Sequence, residues 1–328
     1  MTVIHSEVAR YCSRPWKAIT FLSDGTAVCA CIDSGKKMPL GNVHTMTFDE
    51  IWNGEAYQSL RRDIVEDIRR RPLCIVCPNR IPEAPRNPEK LSGYHKPRHV
   101  YIETVAACNL SCPGCDRGLI TGTREGQVMK TATFKSIIDD LSPHLEYLEY
   151  HVGGENWAHK DSAEMLQYVK ARNPHCFTLT STNGLYFNSE AQRRAALLSG
   201  IDVIIFSVDG VDQESYGKYR VGGDFNQVLE NMRAMAAMRE DLGVSWPKMV
   251  WRYILFPWND SDEQMQRARD LSRAAGVDAL AWHVNIADGQ EFQSERFYAG
   301  SPHLEPIRHE LWDHIQASIP VNPRWEVY

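Results

Sequence analysis

No stretch of this 328-residue chain reaches the run of about eighteen apolar residues that a bilayer-spanning helix needs. The first eight residues lack the basic patch and apolar core of a secretory signal. Positive charge is scarce as well. Lys and Arg number 36 against 42 Asp and Glu, giving a net charge of −6, so the basic field that nucleic-acid binding draws on is missing. These absences predict a cytoplasmic protein with no membrane and no nucleic-acid partner. Nine cysteines without a secretory signal read as metal ligands in a reducing compartment rather than as disulfides.

The bulk composition is that of a globular protein, 43% hydrophobic and 24% charged, with length enough for more than one domain. Its cysteines fall in two groups. Cys108, Cys112 and Cys115 stand at C-x3-C-x2-C spacing just after the apolar, β-rich run 100–107. Three thiolates on one short loop can hold three corners of an iron–sulfur cube and leave the fourth iron open to a ligand. Zinc would want a fourth protein ligand or a water, and no His or Cys follows at finger spacing.

The second group is Cys12, Cys29, Cys31, Cys74 and Cys77. Residues 16–22 alternate as a strand, Asp24 and Gly25 give a hairpin turn, and 26–31 returns, which predicts Cys29 and Cys31 on one side of the second strand. Thr47 and Glu50 read as a capping box opening a helix that runs past Tyr57 to Arg71, where Pro72 ends it. A cysteine before the hairpin, one on its return strand and a C-x2-C after the helix make four ligands for one more metal centre, a cluster or a zinc. Only one of Cys29 and Cys31 is needed. The spare thiol is either a small buried residue or a hydrogen-atom donor to a substrate radical.

Prolines at 78, 82, 85, 88 and 97 mark a linker over 81–97. From there strands (99–105, 145–152, 176–182, 201–208, 248–256, 278–284) alternate with helices (131–141, 161–172, 189–199, 224–240, 261–275), the pattern of a parallel α/β domain. A doubly wound sheet would carry G-x-G-x-x-G after its first strand, and none is there. In a barrel the chemistry sits at the C-terminal ends of the strands. Arg252 is one charge in an apolar strand, which predicts that it points into a polar interior. His283 follows the same logic on the next strand, with a satisfied core histidine as the plainer alternative. Cys176 precedes its strand and reads as structural. Residues 285–328 carry no legible motif and are expected to pack on the barrel as a tail.

The spacing of Cys108, Cys112 and Cys115 resembles the signature of the radical S-adenosylmethionine (radical SAM) enzymes. Gly114 stands where that family usually has an aromatic residue beside the adenine. The resemblance implies a partial (β/α)6 barrel over 98–284 and a 4Fe–4S cluster whose open iron binds S-adenosylmethionine. It further implies one-electron cleavage to a 5′-deoxyadenosyl radical, with a flavodoxin or ferredoxin as electron donor. It makes Gly153, Gly154 and Glu155 the element that binds the amino group of S-adenosylmethionine, although Asn156 and Trp157 follow where the family often has Pro. Ser207 and Asp209 match positions that bond its ribose or carboxylate, and Arg220 one that pairs with the methionyl carboxylate. Thr182, Asn183 and Gly184 form a further turn that resembles the family. Residues 1–80 resemble the SPASM and twitch modules, which implies a second, auxiliary 4Fe–4S cluster in a small α+β module. The module here precedes the barrel that it usually follows.

The single C-x2-C closure looks more like members acting on aminocyclitols and aminosugars, and residues 1–11 are too short for a leader-peptide-binding domain. The expectation is therefore an oxidoreductase in natural-product biosynthesis. It would take hydrogen from a small polyhydroxylated or amine-bearing sugar, giving dehydrogenation, epimerisation or dehydration. The alternatives are a maturase of a ribosomally made peptide and a non-enzymatic iron–sulfur or zinc scaffold.

Overall fold

The computed structural model describes residues 12–77, 96–115, 117–124, 126–142, 144–285 and 290–319, so most of the expected linker lies outside the described residues. The chain forms two compact units. The first is Met1–Ala107, Asp116–His159 and Tyr168–Cys176; the second is Cys108–Cys115, Lys160–Gln167 and Phe177–Tyr328. Each is an α/β layer.

In the first unit, helix α1 (Arg14–Lys17) leads into strands β1 (Ala18–Phe21), β2 (Thr26–Val28) and β3 (Gly41–Asn42). The predicted turn forms as read: Gly25 takes φ 81°, and the Asp24 carboxylate accepts from the Thr26 amide at 3.0 Å. The strand order is β3-β2-β1-β4-β5, with β4 at His99–Ile102 and β5 at Tyr147–Glu149. Strand β1 runs parallel to β4 with Ala18 opposite His99 and Phe21 opposite Ile102. The cysteine-bearing hairpin thus extends the sheet of the first predicted barrel strand.

Two sequence expectations for this unit change. The return strand stops at Val28, and Cys31 opens a short turn, Cys31–Asp33, so the two cysteines do not share a strand face. The turn is held by the Asp33 carboxylate, which accepts the amides of Lys37 and Met38 at 2.6 and 2.8 Å. The single helix expected up to Arg71 is instead α2 (Phe48–Trp52), α3 (Glu55–Asp67) and a short turn at Ile68–Arg70. The capping box of Thr47 and Glu50 is present, but Gly54 caps a new helix rather than continuing the old one. Pro72 does not end a helix: it opens α4 (Pro72–Val76), where a missing amide costs nothing. Tyr57, Leu60 and Ile64 give α3 its buried stripe. Helices α5 (Arg117–Ile120) and α6 (Thr131–Leu141) follow β4.

Helix α7 (Ser162–Arg172) leads along the chain to the second unit. There β6 (Phe177–Thr182), β7 (Val203–Ser207), β8 (Lys248–Leu255) and β9 (Ala279–Val284) lie parallel in that order. Their connections are α8 (Glu190–Leu197), α9 (Gln213–Gly217) with α10 (Phe225–Asp241), and α11 (Asp262–Ala275). All six strands and five helices expected over 98–284 are present, with ends moved by a few residues. Strand β7 is buried throughout. The tail contributes α12 (Trp312–Ser318) and a parallel bridge from Leu311 to Trp282 of β9, fastened where Glu310 accepts from Arg269 and Trp282.

Candidate functional site

In the second unit the loop of Cys108, Cys112 and Cys115 is tied down by its own backbone and by three neighbours. The Leu110 amide points at the Cys108 sulfur at 3.5 Å, and the Cys115 amide donates to the Cys112 carbonyl. Asn183, from the turn after β6, donates to Asn109 at 2.8 Å and reaches the Cys108 sulfur at 3.7 Å. The Ser111 amide donates to the Val221 carbonyl, and Arg220 Nη1 lies 3.9 Å from the Cys112 sulfur. Burial pushes the Cys112 thiol up, with the Arg220 charge pulling the other way.

Arg220 is aimed by Asp209, a fully buried carboxylate that accepts from Arg220 Nε at 2.6 Å and from the Ile254 amide at 2.7 Å. Asp209 is therefore spent on holding the arginine and the end of β8. Ser207 stands opposite Arg252 in the β7–β8 register, and Arg252 Nη2 donates to both Ser207 and Ser181 at 3.0 and 2.9 Å. Burial and the neighbouring Arg252 charge lower the His283 imidazole to about 4, so it is neutral at physiological pH. Within this unit the structure brings Cys112, Arg220 and Asp209 together, and Arg252 with Ser207 and Ser181.

Tyr219 was not singled out by sequence reasoning. A Cβ built on Gly114 would meet its hydroxyl at 3.1 Å, and its ring packs on Phe256 at 4.6 Å in a cluster with Trp258 and Phe292. An aromatic surface thus reaches the cysteine loop from another element.

In the first unit Gly153, Gly154 and Glu155 lie against the chain leaving β4. A Cβ on Gly154 would fall 1.8 Å from the Val105 carbonyl oxygen, so only glycine permits the approach. The Glu155 amide donates to the Ala107 carbonyl, and its carboxylate accepts from Trp157 N–H. Asn156 donates to the Ile102 carbonyl at 2.9 Å and accepts the Thr104 amide, a bracing job that a proline there would not do. Beneath this loop Glu103 and Arg124 form a bidentate, wholly buried pair at 2.7 and 2.9 Å. Glu103 also accepts the amides of Ser23 and Gly153. Neither residue was marked from sequence, though a charge in an apolar strand was the signal used for Arg252.

The same unit gathers Cys12, Cys29, Cys74 and Cys77 around one cavity, together with Arg14, Asp33 and apolar side chains; Cys31 is not among the lining residues. Burial pushes Cys29 up, and Cys74 up to about 12. Among the described residues no three His, Cys, Asp or Glu side chains close on a single-ion position. Four thiols around a common apolar space supply the donor set of an iron–sulfur cube. On β4 and β5, burial works against ionisation of Glu149, but the hydrogen bond from His99 at 2.9 Å and the charge of His151 leave its pKa below the ordinary value. No helix among the described residues is long and apolar enough to cross a membrane.

Comparison with known proteins agrees with this geometry. Residues 12–78 match SPASM, an iron–sulfur cluster-binding domain, and residues 102–267, about half the chain, match the radical SAM superfamily. Mycofactocin maturase MftC of Mycobacterium tuberculosis is 31% identical over 145 residues, 44% of this chain and 36% of the relative. The Mycolicibacterium smegmatis protein of that name is 31% identical over 143 residues, 43% of this chain and 35% of the relative. The matched stretch thus spans about a third of the length of these relatives. Streptococcus suis SuiB crystallised with S-adenosylmethionine has a similar fold, with TM-score 0.50 and 13% identity over 91% of this chain and 69% of that one. An auxiliary iron–sulfur domain ahead of an α/β domain with a three-cysteine loop has one reading, and the chain belongs to the radical SAM superfamily, an enzyme family that works with a 4Fe–4S cluster and S-adenosylmethionine.

Proposed function

We propose that this chain is a radical SAM maturase that takes a hydrogen atom from a residue of a ribosomally made peptide. The observation that carries the reading is the 31% identity to proteins named as maturases, joined to a SPASM domain. It reverses the preference for an aminosugar drawn from the single C-x2-C closure.

Cys108, Cys112 and Cys115 are proposed to hold the first cluster, with Gly153, Gly154 and Glu155 offering a carboxylate to the S-adenosylmethionine amine. Arg220, fixed in direction by Asp209, offers its remaining edge to the carboxylate, a bidentate task suited to a guanidinium. When bound, the cluster and S-adenosylmethionine supply the hard chemistry, a one-electron cleavage giving the 5′-deoxyadenosyl radical, with a flavodoxin or ferredoxin as electron source. The protein's part is placement. Arg252, braced by Ser181 and Ser207, presents a fixed positive charge, and the neutral His283 beside it can accept a proton or a hydrogen bond. Cys12, Cys29, Cys74 and Cys77 are proposed as the four auxiliary ligands, which leaves Cys31 outside the ligand set.

The test is an anaerobic reaction of the reconstituted protein with S-adenosylmethionine, dithionite and synthetic peptides encoded beside its gene. The expected result is 5′-deoxyadenosine formation stimulated by one peptide, with a mass change in that peptide. Stimulation by an aminosugar or aminocyclitol, with every peptide inert, would remove the maturase reading and leave the enzyme class intact.

A further inference from the structure

Two arginines in the first unit carry buried charge that no carboxylate among the described residues answers. Arg14 is 3% exposed and Arg61 is 8% exposed. Arg14 Nε donates to the Cys29 carbonyl at 3.0 Å, and its guanidinium lies over the Tyr101 ring at 4.8 Å. Its Nη2 is buried with no hydrogen-bond partner among the described residues, and the side chain lines the four-cysteine cavity. Arg61 donates to the carbonyls of Pro15 and Trp52 at 3.0 and 2.8 Å, and sits over the rings of Trp52 and Tyr57 at 4.5 and 4.8 Å. Every hydrogen-bond acceptor these two groups have among the described residues is a backbone carbonyl.

Taking an ion out of water is costly unless an opposite charge compensates it. The other charged groups near the cavity do not. Asp33 lines it, but both its oxygens accept backbone amides, and Arg71 is already paired with Asp63 at 2.6 Å. A 4Fe–4S cube on four thiolates carries net negative charge and gains one more on reduction, and net charge and hydrogen bonding around the sulfurs set its potential. We infer that Arg14, which lines the cavity, and Arg61, one residue behind it on the carbonyl of the lining Pro15, are the built-in counter-charges of the auxiliary cluster and hold its reduction potential up. A guanidinium suits this position because it stays charged when buried and its planar face stacks on the rings that confine it. The inference rests on the proposed ligand set Cys12, Cys29, Cys74 and Cys77.

The experiment uses the full chain, reconstituted anaerobically with iron and sulfide. Iron is counted, and each cluster is titrated against potential by electron paramagnetic resonance. The auxiliary signal is the one that added S-adenosylmethionine leaves unchanged. Arg14→Gln and Arg61→Gln should keep full iron and each make the auxiliary cluster at least tenfold harder to reduce, 59 mV for one electron. Arg14→Lys and Arg61→Lys should lose less than half of that. Glutamine variants with full iron and unchanged potential would overturn the inference, and so would lysine variants that shift as far as glutamine. If a glutamine variant sheds the auxiliary iron, its lysine counterpart decides. Iron retained with lysine supports the counter-charge, and iron lost with both makes the arginine a packing residue only. Failure of the ligand set looks different: Cys29→Ala would keep all the iron of the unmodified chain, and both readings would then fall.

Discussion

Cys29 and Cys31 show how one residue's position along the backbone decides its chemistry. Cys29 follows β2 into the cavity shared with Cys12, Cys74 and Cys77, whereas Cys31 begins a new turn and leaves that space. Cys29→Ala is expected to cost about four irons per chain, one cube's worth, and Cys31→Ala none. Colorimetric iron analysis of the two variants checks this, and equal losses would refute it. His283 offers a pH test. Burial and the Arg252 charge lower its pKa from the ordinary 6.5 to about 4. Between those values the unfolded chain binds the extra proton, so this group removes native stability as pH drops from 7 to 4. His283→Asn is expected to flatten that part of the dependence, read as a smaller difference in urea midpoint between pH 7 and pH 4.5. An unaltered difference would mean the histidine titrates freely in the fold.

At the scale of elements, β1 lies parallel on β4, and one ion pair stitches the surrounding loops. Glu103 accepts from Arg124, from the hairpin amide of Ser23 and from the Gly153 amide. Both side chains are fully buried, so removing one partner strands the other. Arg124→Met is expected to destabilise by about 3–5 kcal/mol, and the double variant with Glu103→Gln by less than that. Denaturant midpoints of the three proteins test it, and a loss under about 1 kcal/mol for Arg124→Met would place the pair in the class of weak surface bridges. The helix after Thr47 is a second case of local chemistry decided by context. The capping box was legible, but the break at Gly54 and the restart at Pro72 were not, because both residues admit more than one role in a helical run.

For the whole molecule, the two proposed ligand sets should be separable. The variant with Cys108, Cys112 and Cys115 all changed to Ala is expected to retain about four irons per chain and to form no 5′-deoxyadenosine. Iron analysis beside chromatography of the nucleoside checks both halves, and product formation by that variant would dismantle the assignment. By itself the sequence determined the family and the element order. Cysteine spacing, strand-ending glycines and the alternation of strands and helices are local patterns, written within a few residues of one another. It also marked Ser207, Asp209 and Arg220 through the family resemblance, and Arg252 as a single charge in an apolar strand. Only the tertiary structure decided which of five cysteines share a cavity, that Asp209 is spent on aiming Arg220, and that Tyr219 brings its ring to Gly114. It also decided that Arg14 and Arg61 are buried with no carboxylate partner among the described residues. These facts depend on side chains far apart in the chain meeting at one point, and on how little water reaches them there. Spacing along a sequence does not encode either.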